Sequence, residues 1–247
     1  LVTEFKSRLA PRACAMSPMI DGATVVVPTG APATGTTLAA FDAATGAVVW
    51  SAANLPVSLN TPAGVGTFNG ERLVLYHHAK PPGTGGLSAV RVKGGTTDIA
   101  WQIDLKAGMS DTAPLALPGN RVLLQTWNDS ALIDVSSTPR IVWTTTDLWA
   151  LYPPPTHHAG VLYGFGGNST EFFSAVDITS GRTLWTERIY RGYVVNAGGT
   201  LVVQSESAGL LRLVAADPAR YRELARLPVF RPGARTTTPP TVAAGRI

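Results

Sequence analysis

A single cysteine in 247 residues, Cys14, has nothing to pair with, so oxidation gives this fold no covalent staple. Cys14 is expected to be a small core residue. Long apolar runs are missing too. The longest, such as "ATVVV" and "RVLLQ", are strand-sized and well short of the about 18 residues a membrane helix needs, so no membrane span is expected. The amino-terminal stretch "LVTEFKSRLAPRACAMSP" lacks an initiator Met and a basic-then-apolar signal pattern, so any targeting segment is expected to have been removed or to lie outside this chain. Charge is sparse at 15% of residues, and lysine sparser still, with 4 Lys against 16 Arg. The net charge of +4 is spread along the chain; its loosest cluster, Arg220, Arg222, Arg226, Arg231 and Arg235, has only Tyr221 as an interleaved aromatic. A nucleic-acid surface wants a dense basic stripe, so no nucleic-acid partner is expected.

Signatures of catalysis are also absent. There is no Gly-x-Ser-x-Gly elbow, no paired glycosidase-like carboxylates and no phosphate-cradling glycine loop; "GFGGNST" leads into a strand, not a helix. Two histidine pairs, His77-His78 and His157-His158, invite a metal reading. Adjacent strand residues point to opposite faces, so each pair offers one ligand to a shared site, and no Cys, His or carboxylate cluster completes it. Neither a metal nor a cofactor is expected. "NDS" at Asn128 and "NST" at Asn168 match glycosylation sequons, which matter only in a secreted eukaryotic setting.

What the chain does have is Gly and Pro, 44 of 247 residues together, a mixture that favours many short strands joined by tight turns. It also has a repeat. Trp50, Trp101, Trp143 and Trp185 are separated by 51, 42 and 42 residues, and each closes the same series of events: a Pro-marked strand, a Gly turn, an apolar strand, a third strand, a turn containing an acid, and a fourth strand carrying the tryptophan. A period near 42 with four strands per unit is the spacing of propeller blades. The expectation is an all-β chain of four-stranded antiparallel blades, about five of them complete, at 17–54, 61–105, 112–148, 153–188 and 192–230, with 238–247 opening a further one. In "LAAFDAATGAVVW", Asp42 is placed to accept from turn N–H groups, Thr45 adds a hydroxyl, and Gly46 takes the positive φ of a type I turn with a following bulge. Trp50 then projects toward the neighbouring blade. The fifth unit, "LRLVAADPARYRELARL", reads in isolation as an amphipathic helix, but its repeat position predicts turn and strand, with Ala215 and Asp217 in the motif and Ala225 in place of the tryptophan.

The pattern Ala-x-Asp-x-x-(Thr/Ser)-Gly-x-x-x-Trp is complete twice: Ala40, Asp42, Thr45, Gly46, Trp50 and Ala175, Asp177, Ser180, Gly181, Trp185. In this the chain resembles the pyrroloquinoline-quinone-like (PQQ-like) β-propeller repeats, whose tryptophan-docking motif has this form. Two repeats depart from it: Arg91 stands where Asp belongs before Trp101, and the unit before Trp143 moves its acid to Asp134 and lacks the Gly. The resemblance implies a ring of about eight blades, of which this chain is an arc. It extends to the propeller lipoproteins of outer-membrane β-barrel assembly, which implies a non-catalytic scaffold, a protein or peptide partner, contact with the missing blades of the same ring, and an extracytoplasmic location. The alternative it implies is part of a quinone- and calcium-dependent dehydrogenase. Those enzymes typically carry a disulfide between neighbouring cysteines, which one Cys cannot form.

In a four-stranded meander the loops between second and third strands share a face with the connections between blades. Trp127, Trp149, Tyr152, Tyr190, Arg191 and Tyr193 fall in or beside those segments, which makes that face the candidate partner surface.

Overall fold

The computed structural model describes residues 17–31, 36–53, 55, 61–80, 84–106, 110–149, 154–166, 172–231 and 233–247. Cys14, Tyr152 and Asn168 lie outside the described residues. Among the described residues twenty strands form five sheets and there is no helix. The first sheet comprises β1 (Met19–Asp21), β2 (Thr24–Ala31), β3 (Thr36–Asp42) and β4 (Val48–Ala53). The second comprises β5 (Gly64–Phe68), β6 (Glu71–Lys80), β7 (Thr84–Lys93) and β8 (Thr96–Leu105). The third runs through β9 (Leu115–Leu117), β10 (Arg121–Gln125), β11 (Ser130–Asp134) and β12 (Arg140–Thr145). The fourth has β13 (Thr156–His158), β14 (Val161–Gly166), β15 (Phe172–Asp177) and β16 (Thr183–Arg188), and the fifth β17 (Gly192–Ala197), β18 (Thr200–Ser205), β19 (Leu210–Ala215) and β20 (Glu223–Pro228). In every sheet, chain order is spatial order, and the registered pairings are antiparallel. This is the four-stranded antiparallel meander of a propeller blade, five times over. Residues 223–228, readable as a helix in isolation, are the outer strand of the fifth sheet. Beyond it, 238–247 contributes only the bridge between Ala243 and Arg246.

Two compact units are formed, one of Leu1–Thr126 with Leu132–Val142, the other of Trp127–Ala131 with Trp143–Ile247. In the first, one core joins Val26, Leu38, Ala40 and Trp50 of the first sheet to Val74, Tyr76 and Val90 of the second. Another joins Leu73, Leu75, Leu87 and Ala89 of the second to Val122, Leu124 and Ile133 of the third. In the second unit Tyr163, Phe165, Phe173 and Ala175 of the fourth sheet pack with Leu201, Val203 and Val214 of the fifth. Each central strand alternates, one face toward each neighbour, so second and third strands are buried almost throughout, as in the unbroken burial of β14. The outer strands carry exposed apolar residues, Val48, Val49, Ile99, Ile141, Leu224 and Leu227, and Ile20 of β1 and Phe172 of β15 are exposed as well. First strands of successive sheets lie side by side, β5 by β9 and β13 by β17. Their approach is close enough that a Cβ on Gly66 would sit 2.6 Å from the Ala116 side chain.

Candidate functional site

The turn motif has the geometry its residues call for. Asp42 Oδ1 accepts from Ala44 N at 3.1 Å, Thr45 N at 2.8 Å and Thr45 Oγ1 at 2.8 Å, while Gly46 adopts a φ of 72°. Asp177 repeats this with Thr179 N at 3.1 Å, Ser180 N at 2.7 Å and Ser180 Oγ at 2.7 Å, and Gly181 has a φ of 71°. The Thr45 hydroxyl first, and the turn amides after it, hold the Asp42 carboxyl below the usual range; Ser180 does the same for Asp177. Asp134, in the repeat without the glycine, accepts from Ser136 N and Oγ and from Arg140. At Arg91 the charge is inverted and so are its partners: the guanidinium bridges Glu71 and Asp98, closing the same hairpin with ion pairs.

A register shift follows the alanine of each complete motif, between Ala40 and Phe41 and between Ala175 and Val176. Each alanine pairs across the sheet with its tryptophan, Ala40 with Trp50, Ala175 with Trp185, and in the second sheet Ala89 with Trp101. A methyl group opposite the indole leaves the ring room. The fifth sheet swaps the sizes, with Leu213 opposite Ala225. That pairing corrects the motif expected there. Ala215 N bonds to Arg222 O, whereas Asp42 N bonds to Ala47 O and Asp177 N to Arg182 O. The fifth turn is two residues longer, so Ala215 stands where the aspartates stand and Asp217 lies inside the turn.

Each tryptophan of the repeat touches the sheet that follows. Trp50, 6% exposed, packs with Val74, Tyr76 and Val90. Trp101 meets the third-sheet core and stands edge-on to Phe68 of its own sheet, at 6.2 Å. Trp143 donates Nε1–H to Ile178 O at 3.1 Å, and a Cβ on Gly181 would lie 2.7 Å from its ring. Trp185 donates to Asp217 O at 2.8 Å and stands edge-on to Tyr221 at 5.9 Å. Trp101 breaks the pattern, because its Nε1 is buried without a hydrogen-bond partner among the described residues. Val135, which follows Asp134 as Ile178 follows Asp177, has its carbonyl engaged by Asn69 Nδ2 at 3.1 Å. Asn69 and Asn120 are bound reciprocally, Asn69 N to Asn120 Oδ1 and Asn120 Nδ2 to Asn69 Oδ1, each at 2.8 Å. Both have positive φ, 50° and 55°. The sequence signal for this clasp is the recurring Asn-Gly at the first turn of the repeat, "NG" at Asn69 and "GN" at Asn120, which is a turn signature and names no partner 51 residues away.

The candidate partner surface divides. Tyr190 is 44% exposed, and Trp127 and Trp149 are half-buried. Their segments are tied together where Ser130 Oγ donates to Leu148 O at 2.9 Å. Beneath them β14 ends at Gly166, where any Cβ would collide with Asp147 O. Arg191 is committed to Glu206 at 2.6 Å, and Tyr193 is 5% exposed, which makes it core and not free surface. Sequence reasoning missed that Arg212 is buried as well, donating to Ser205 Oγ at 2.8 Å beside Glu223.

All four histidine rings lie within hydrogen-bond distance of neighbouring residues. His77 and His78 are both buried, with His77 Nδ1 at 3.1 Å from Thr61 Oγ1 and His78 Nε2 at 3.2 Å from Ser88 Oγ. His157 Nε2 accepts from Gly160 N, and His158 Nδ1 lies 3.2 Å from Asn196 Nδ2. Among the described residues no group of three or more His, Cys, Asp or Glu is placed to hold a metal ion. Nor is any helix long and apolar enough to cross a membrane.

Five such meanders, two of them closed by the complete turn motif, define a fold of the β-propeller class similar to the PQQ-like repeats. The comparisons agree: residues 34–151 match the PQQ-like family described as outer membrane protein assembly factor BamB. The chain is also similar to the crystal structure of BamB from Moraxella catarrhalis, with a TM-score of 0.57 and 19% identity over 85% of this chain. It spans 60% of that BamB chain. No curated protein matches the sequence.

Proposed function

We propose that the chain is a non-catalytic scaffold that binds a protein or peptide partner, acting in outer-membrane protein assembly from an extracytoplasmic position. The observation that carries this reading is the match of residues 34–151 to a family described as an assembly factor. The partner face is that of Trp127, Trp149 and Tyr190, aromatics that offer contact area at little cost in side-chain entropy. Gly166 and the Ser130 bond to Leu148 support it by stiffening the backbone below. Trp50, Trp101, Trp143 and Trp185 are the docking residues of the blades, and the chain is one arc of a ring of about eight.

A photo-cross-linking amino acid at 127, 149 or 190, introduced in the native host, tests the reading, with positions 99 and 141 on exposed outer strands as controls. The expected result is adducts with envelope assembly proteins from the first set and not from the second. Adducts confined to the controls, or none from either set, would contradict it.

A further inference from the structure

The second sheet contains a buried histidine whose proton is placed by its neighbours. Thr61 Oγ1 donates to the Ser110 carbonyl at 2.6 Å, and a carbonyl only accepts, so the one hydroxyl hydrogen is spent there. The same oxygen lies 3.1 Å from His77 Nδ1 and has only lone pairs to offer it, so Nδ1 carries the proton and donates. His77 is therefore the neutral Nδ1–H tautomer. Its Nε2 lone pair is buried and has no hydrogen-bond partner among the described residues.

One imidazole thus joins three pieces of chain. His77 belongs to β6, where it pairs with Leu87 of β7; Thr61 precedes β5, and Ser110 precedes β9. The Ser110 end is itself braced, its Oγ lying 3.1 Å from Thr112 Oγ1. The ionisable groups nearest these three positions are His78, next along β6 and also buried, and Asp111, half-buried between Ser110 and Thr112; Glu71 and Arg72, at the far end of β6, are paired with Arg91 and Asp21, and Lys80 closes the strand three residues beyond His77. The strand partner and the residues around Thr61 bring no charge.

We propose that His77 is an acid-sensitive latch: neutral, it holds the entries to the second and third sheets against β6, and protonated, it releases them. A second proton has to sit on Nε2, which meets no acceptor among the described residues, so the closed form bears a buried and unpaired charge. Burial first, and the charge of His78 after it, lower the closed-state pKa to about 4 from 6.5. The open form binds the proton at the ordinary value, so opening is favoured as pH falls through the window between the two. From pH 8 to pH 5 the opening constant rises about 30-fold. This inference stands apart from the proposed partner surface.

Amide hydrogen exchange of the full chain at pH 8, 7, 6 and 5, corrected for the intrinsic rate, tests it. Residues 61–78 are expected to show the rise of about 30-fold in opening, with β18 and β19 of the fifth sheet, which contain no histidine, as internal reference. His77→Asn keeps a donor for Thr61 without the imidazole, and its rise is expected to fall below about threefold. Thr61→Val is expected to open more at every pH and to keep the rise. In the unaltered protein, the His77 ring proton followed by NMR needs no variant to fold; a native-state titration near 6.5 would overturn the latch. So would an exchange profile in 61–78 that does not change with pH, or one in His77→Asn that changes as much as in the parent.

Discussion

Trp101 and Trp185 occupy the same place in the second and fourth repeats, yet the indole N–H of Trp185 is bonded and that of Trp101 has no partner among the described residues, and this difference sets a sharp test. Replacing either by Phe removes similar volume and leaves an aromatic ring, so the packing loss, about 1 to 2 kcal/mol, is common to both. Trp185→Phe also breaks the 2.8 Å bond to Asp217 O, worth about 1 kcal/mol net, and strands a carbonyl that is half-buried. Trp101→Phe instead removes a buried donor with no acceptor, relieving a cost of about 1 to 3 kcal/mol. The two substitutions are therefore expected to differ by about 2 kcal/mol or more, Trp185→Phe costing the larger amount and Trp101→Phe lying near neutral. Trp185→Ala, which also forfeits the contacts with Tyr163, Phe173 and Tyr221, is expected to cost about 3 to 5 kcal/mol. Urea unfolding followed by far-ultraviolet circular dichroism reads each value without relying on the fluorescence that the substitutions alter. If Trp101→Phe costs as much as Trp185→Phe, the argument from hydrogen bonding is wrong and the two rings act by bulk alone.

Other outcomes follow from single sites. Gly166→Ala sets a methyl group against Asp147 O and is expected to cost more than about 2 kcal/mol, whereas Gly46→Ala, which meets only open space at a φ of 72°, is expected to cost about 1 kcal/mol; thermal unfolding ranks them. Asn69→Ala and Asn120→Ala are each expected to cost about 1 to 2 kcal/mol and to be strongly non-additive, since either one dismantles the same clasp; a double-mutant cycle in urea gives the coupling. Acid should act in two windows. His77 has a lowered folded-state pKa, so its stabilising neutrality is complete above 6.5 and is lost as pH falls toward about 4. The Asp42 and Asp177 carboxyls are also held low, so their contribution is complete above 3.8 and is lost only below it. A stability profile that is flat from pH 7 to pH 4 and falls only below that range would remove the histidine from this account.

Much of the fold was legible because its period is carried by bulky, rare residues. The tryptophan spacing and the Gly turns place all five meanders, and Asp42 with Thr45 and Gly46 specify a turn through contacts spanning at most five residues. What was not legible depends on which distant atoms meet. Asn69 looks like any turn asparagine until Asn120 is found opposite it, and Arg91 looks like a lost aspartate until Glu71 and Asp98 flank it. The fifth repeat defeated the motif because spacing alone does not show whether two extra residues enter the turn or shift the strands. The place of Tyr193 beside a connection suggests surface, but it is the second residue of β17 and is 5% exposed. The partner surface is the least legible part, since half-buried aromatics such as Trp127 and Trp149 serve packing and recognition equally well.

The central structural claim, that Trp143 and Trp185 are each seated on the turn of the following sheet, is tested most directly by nuclear Overhauser contacts from the indole Hε1 protons. The account predicts contacts from Trp185 Hε1 to the Tyr221 ring and the backbone beside Asp217, and from Trp143 Hε1 to Gly181 Hα and the backbone beside Ile178, residues 32 and 35 positions further along the chain for the two bonded carbonyls. Contacts from these protons confined to the tryptophan's own sheet would contradict it.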